Sequence, residues 1–154
     1  MKPRIFLAAL LAAFGAYAAD LPYSDTADAK ADVRWALTQD RTKPVLLIFG
    51  ANWCEDCRAL DRALKTGKNA ALIAREFKVV KIDVGNFDRN LDVAADYGNP
   101  IAKGIPAAVI LSRGNKVLYS TRAGELSNAR RMNAEGIYGF FKKAIENAKS
   151  NSTG

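Results

Sequence analysis

The chain predicts an α/β fold in which helices flank one central mixed sheet, and three observations carry that expectation. Val45 to Phe49 is a continuous apolar run of strand length, and Val79 to Val84 is a second, β-branched one. Helical patterns precede, separate and follow these two runs. A hairpin signal and a long amphipathic stretch then close the chain, the order expected of strands alternating with helices around one sheet.

Each element has its own local cause. Ser24 to Asp40 is the first expected helix, capped by Ser24 or Asp25, with Ala27, Ala31, Trp35 and Ala36 at helical spacing and Lys43-Pro44 as its stop. Val45 to Phe49 lacks polar alternation, as a strand covered on both faces requires. Gly50-Ala51-Asn52 turns the chain into a helix from Cys54 to about Lys65. After a break at Thr66-Gly67 the helical pattern resumes over Asn69 to Phe77. Val79 to Val84 is the second strand, and Asp88 to Tyr97 is a short helix closed by Gly98-Asn99-Pro100. Ala107 to Leu111 and Lys116 to Thr121 are strands joined through Ser112-Arg113-Gly114-Asn115. The last helix, Ala134 to Lys149, turns Ile137, Phe140, Phe141, Ala144 and Ile145 inward.

Composition removes most enzyme chemistries. Of 154 residues none is histidine and two are cysteine, which excludes a Ser/His/Asp triad, a Cys/His dyad, a histidine-rich metal site and a four-cysteine zinc site. Carboxylate, lysine and cysteine chemistry survive. The two cysteines stand three positions apart, as Cys54 and Cys57.

The amino terminus has the form of a secretory signal. Met1-Lys2-Pro3-Arg4 is a basic start, Ile5 to Phe14 an apolar run, and Ala16 and Ala18 fit small-residue cleavage. Residues 1–18 are therefore expected to be removed, leaving 19–154 as one domain in the periplasm. An uncleaved anchor is the alternative, but Ile5 to Ala19 falls short of the ~20 residues that span a bilayer. The formal charge of +7 gathers late in the chain, where Arg113, Lys116, Arg122, Arg130, Arg131, Lys142, Lys143 and Lys149 face only Glu125, Glu135 and Glu146. A solvated basic face is the expectation, with an acidic protein partner or an anionic membrane surface as the alternative. Export argues against nucleic acid as a partner.

The chemistry is expected at Trp53-Cys54-Glu55-Asp56-Cys57, after a buried strand and at the start of a helix. There a thiolate faces unpaired N–H groups and the positive end of the helix dipole, so its pKa falls below the free value of about 8.5. Cys54 is then the attacking thiol. Cys57, one turn further in, resolves the mixed disulfide and leaves a Cys54–Cys57 disulfide. A purely structural bridge is the competing assignment, yet closing a four-residue loop is worth only about 2 kcal/mol, against about 3 for fifteen residues. A metal site would lack at least two ligands.

On the strand Val45 to Phe49, Trp53-Cys54-x-x-Cys57, Lys81-Ile82-Asp83, Tyr97-Gly98, Gly104-Ile105-Pro106 and Gly124, the sequence resembles the thioredoxin superfamily from about Ala27 to Ala148. Within it, the chain is most similar to periplasmic thioredoxin-like disulfide reductases and isomerases, and to the thioredoxin-like domain of the thiol:disulfide interchange protein. The resemblance implies a thioredoxin-like fold and no cofactor or metal beyond the redox-active disulfide; a monomer is the default expectation. It implies exported proteins carrying thiols or disulfides as substrates, with a membrane or periplasmic thiol reductase upstream. It also implies a cis Ile105-Pro106 bond beside Cys54, where the Ile105 backbone can pair with a client strand, and a partly exposed Trp53 covering the sulfurs; a core tryptophan remains the alternative.

Two departures qualify that likeness. Six positions before the first cysteine, where many thioredoxins place a buried aspartate, stands Ile48, so the proton acceptor for Cys57 is left to Glu55, Asp56 or water. The inner dipeptide is Glu55-Asp56, and two carboxylates near Cys54 should repel its thiolate and favour a reductant; the alternative is that both point into water. Asn86 to Asn90 and Asn128 to Asn133 lie outside the family core, either shaping a partner surface or serving as plain loops. A dedicated electron relay is the second functional expectation. A copper chaperone is disfavoured by the missing histidine and the CxxC spacing.

Overall fold

The computed structural model describes residues 21–39 and 42–152, so the expected signal segment lies outside the described residues. Burial on both faces puts β1 (Val45–Gly50) inside a four-stranded sheet ordered β2-β1-β3-β4, with β2 Lys78–Asp83, β3 Ala107–Leu111 and β4 Val117–Ser120. β2 pairs parallel to β1, whereas β3 pairs antiparallel to both β1 and β4, giving the expected mixed sheet. Alternation along β1 feeds two cores. Val45, Leu47 and Phe49 join Tyr23, Val33 and both cysteines, while Leu46 and Ile48 join Leu60, Leu72 and Phe141.

The helices are α1 (Ala29–Thr38), α2 (Glu55–Leu64), α3 (Gly67–Glu76), α4 (Leu91–Asp96) and α5 (Ala134–Ser152). α1 begins later than the sequence pattern suggests. Its cap is Asp28, whose carboxylate accepts the Ala31 N–H at 2.9 Å, and neither Ser24 nor Asp25 caps it. Tertiary bonds hold the preceding residues out of the helix: Tyr23 bonds through its main chain to Asn52, and the Asp25 carbonyl accepts from Arg89. The buried stripe is accordingly Ala29, Val33 and Ala36, and Trp35 is 65% exposed. α4 is shorter than expected because Asp88 and Arg89 bond back to the Val84 carbonyl and Asn90 takes a left-handed φ of 50°. No helix among the described residues is long and apolar enough to cross a membrane.

Two tertiary ties fix the framework around the helix that carries the cysteines. Thr121, 1% exposed, bonds Ala108 through both its main chain and its hydroxyl, which sets the start of β3 just after the cis Ile105-Pro106 bond. Asp61 on α2 binds Lys81 on β2 and Lys65, the C-cap residue of its own helix. Burial alone would raise the Asp61 carboxyl, but the bonds from both lysines outweigh it and hold the group below its ordinary range. A folded-state pKa below the unfolded value of about 3.9 stabilises the fold above that pH, and the contribution disappears as pH falls through the lower folded value. An Asp61→Asn variant is therefore expected to be less stable than wild type in urea at pH 7. The gap should narrow as pH falls below about 3.9 and close only below the lower folded value, and a gap that stays constant through that acid range would contradict the assignment.

Candidate active site

The central strand ends at Gly50, and Ala51 to Trp53 form the turn that delivers Cys54. Cys54 is the N-cap of α2, one position before the first helical residue where the sequence pattern puts it. Its Sγ accepts the Cys57 N–H at 3.1 Å. This keeps the sulfur at the positive helix end and gives one otherwise unpaired N–H a partner. Cys54 and Cys57 form a disulfide with their Cα atoms 5.2 Å apart. The two sulfurs are unequally sheltered, Cys54 being 6% exposed and Cys57 fully buried. The carbonyl oxygen of Ile105, ahead of the cis peptide, lies 3.8 Å from the Cys54 Sγ.

Glu55 and Asp56 do not face the sulfur alone. The 3₁₀ turn Ala129–Arg131 packs against the start of α2. Arg130 Nη1 donates to Glu55 at 2.5 Å, its main-chain N–H donates to Asp56 at 2.9 Å, and its Nε stands 3.9 Å from Asp56. This cation offsets much of the repulsion that the two carboxylates would exert on a thiolate, so the dipeptide by itself is a weak reason to expect a strong reductant. The pairing joins residues more than seventy positions apart, which no local pattern announces.

Trp53 is 54% exposed, which rules out a core position, and its indole N–H donates to the Gly85 carbonyl at 2.8 Å. Its ring lies 6.3 Å from that of Phe87, a residue 42% exposed at a φ of 62°. Trp53, Cys54, Phe87, Ile105, Ser127 and Arg130 line a groove of about 500 Å³. Both polar loops outside the family core therefore reach the groove, through Phe87 and Arg130. Ile48 is buried in the core with Leu60 and supplies no polar group. Tyr23, which the sequence pattern did not single out, packs with both cysteines in the other core. Among the described residues no cluster of three or more His, Cys, Asp or Glu side chains forms a metal site.

A disulfide capping the helix that leaves the central strand, with a cis-proline loop against its outer sulfur, defines a thiol–disulfide oxidoreductase of thioredoxin-like architecture. The chain belongs to the thioredoxin-like family, which it matches over residues 26–112. It is similar to the crystal structure of a disulphide isomerase from Xylella fastidiosa Temecula1, with 57% identity and a TM-score of 0.79 over 82% of this chain and 98% of that one. The C-terminal domain of Neisseria meningitidis DsbD in its oxidised form shares the fold, with 21% identity and a TM-score of 0.54 over 79% of this chain and 97% of that one. The thiol:disulfide interchange protein DsbD of Campylobacter jejuni is 27% identical over 84 residues, 54% of this chain. That match spans only 14% of the Campylobacter protein's length.

Proposed function

We propose that this protein is an exported thiol–disulfide oxidoreductase that reduces or isomerises disulfides in periplasmic proteins, with Cys54 as nucleophile and Cys57 as resolving thiol. The unequal shelter of the two sulfurs carries this reading: Cys54 opens onto the groove and Cys57 does not. Client entry would lay an extended strand against Ile105 and Pro106, with Trp53 beside the exchanging sulfurs. The Cys54 thiolate attacks a client disulfide, one client sulfur leaves, and Cys57 then displaces the other. The 57% identity to a protein described as a disulphide isomerase supports the substrate class. Export is supported by the basic and apolar start at residues 1–18. The similarity to DsbD supports an upstream thiol reductase as the source of electrons.

Two measurements test this reading. The reduced protein is expected to reduce insulin with dithiothreitol as electron source, and its Cys54–Cys57 couple, titrated against glutathione, should lie well below the about −120 mV of a strong oxidant. Absence of insulin reduction combined with a single tight partner would favour the dedicated relay. Arg130 is expected to tune the couple through the two carboxylates it pairs. Removing the cation leaves Glu55 and Asp56 unpaired beside the sulfur, so an Arg130→Ala variant is expected to raise the Cys54 thiol pKa. Thiolate absorbance at 240 nm against pH reads that shift.

A further inference from the structure

The resolving sulfur has a polar neighbour outside the matched family region: the hydroxyl of Tyr23. Tyr23 is 3% exposed and packs in the same core as Cys54 and Cys57. Its ring end and the Cys57 Sγ converge over the bare Cα of Gly50. A methyl group built there would overlap the Tyr23 hydroxyl and stand 3.0 Å from the sulfur. The tyrosine is fastened in place, because its N–H donates to Asn52 Oδ1 at 3.0 Å and its carbonyl accepts from Asn52 Nδ2 at 2.7 Å. Asn52 also immediately precedes Trp53-Cys54, so one side chain ties the tyrosine to the turn that presents the sulfurs.

We propose that Tyr23 is the hydrogen-bond donor that stabilises the Cys57 thiolate in the resolving step, a role that rests on the assignment of Cys57 as resolving thiol. The charged groups in this region support a donor and offer no free base. Asp61 is held by Lys81 and Lys65, Asp83 accepts from Arg89, and Glu55 and Asp56 are held by Arg130. Ile48 is apolar. Burial, reinforced by the negative charges of Asp61 and Asp83, pushes the Tyr23 hydroxyl above its ordinary pKa, so it keeps its proton and acts as a donor, never as the base.

The step balances as follows. The Cys57 thiol gives its proton to solvent, and the thiolate, bonded by the Tyr23 hydroxyl, attacks Cys54 Sγ. The Cys54–Cys57 bond forms while the bond between Cys54 and the client sulfur breaks. The electron pair leaves with the client sulfur, which takes up a proton from solvent.

Ellman's reagent separates the two thiols in the reduced protein. Attack by Cys54 releases one thionitrobenzoate, and resolution by Cys57 releases the second. A hydrogen bond to a charged sulfur is worth enough that Tyr23→Phe should slow the second release about tenfold at pH 7 and move its pH midpoint upward, leaving the first release unchanged. Asn52→Ala keeps the hydroxyl but cuts both main-chain ties, and should slow the second release by less. A wild-type second release in both variants overturns the proposal, as does slowing without a change in pH midpoint, which is the mark of a purely structural role. The order of the thiols is checked separately: Cys57→Ser should keep the first release and Cys54→Ser should lose it. The opposite pattern defeats the functional reading whatever Tyr23→Phe does.

Discussion

Cys54→Ser is expected to bring insulin reduction down to the uncatalysed background, while Cys57→Ser should accumulate as a mixed disulfide with its client. The contrast follows from the two sulfur environments. Cys54 caps the helix at the floor of an open groove, whereas Cys57 lies fully inside the core and is bonded to Cys54. Without Cys54 no attacking thiolate meets a client; without Cys57 the first exchange proceeds and stalls. A non-reducing gel followed by mass spectrometry reads the trapped adduct. Many adducts are expected for a general reductase or isomerase, and one dominant adduct for a relay. Loss of the fold is a poor rival explanation, since a four-residue loop closure contributes only about 2 kcal/mol. Residual turnover in Cys54→Ser would reverse the assignment of the two sulfurs.

A single methyl group at Gly50 should be the most damaging small substitution in the site. Gly50 is the buried last residue of β1, and an alanine Cβ would overlap the end of the Tyr23 side chain. Tyrosine tips can often swing aside. This one is buried, and Asn52 holds its main chain at both the N–H and the carbonyl, so the overlap must be absorbed by the sheet or by α2. Overpacking of this kind costs about 1–3 kcal/mol. For a domain of this size that is roughly 3–10 °C in melting temperature, read by circular dichroism on the oxidised protein. Shortening the obstructing side chain should relieve it: in a Tyr23→Leu background, Gly50→Ala is expected to cost less than in wild type. Strictly additive costs would mean that the two residues do not compete for this space.

Much of the framework could be read along the chain because its cause is local. The unbroken apolar run at Val45 to Phe49 can satisfy itself only between two cores, and it does so with alternate residues. The hairpin followed from Ser112 to Asn115, where Asn115 takes a φ of 64° and the Ser112 N–H donates to the Lys116 carbonyl. Helix ends were less legible. The sequence pattern starts the first helix too early because Ser24 and Asp25 are as good caps as Asp28 in isolation, and only the bonds to Asn52 and Arg89 keep the chain out of the helix there.

The site divides in the same way. The sequence alone determined that the chemistry belongs to a cysteine pair at a helix start, because residue spacing and the preceding strand impose that geometry locally, and histidine is missing from the whole chain. Tertiary structure alone decided what surrounds the sulfurs: Arg130 across Glu55 and Asp56, Phe87 beside Trp53, and Tyr23 with Cys57 over Gly50. These neighbours are about 27 to 75 positions apart along the chain. Electrostatic and steric interactions act through space over a few ångströms, and nothing in a local pattern records which distant residues the closed sheet will bring within that reach.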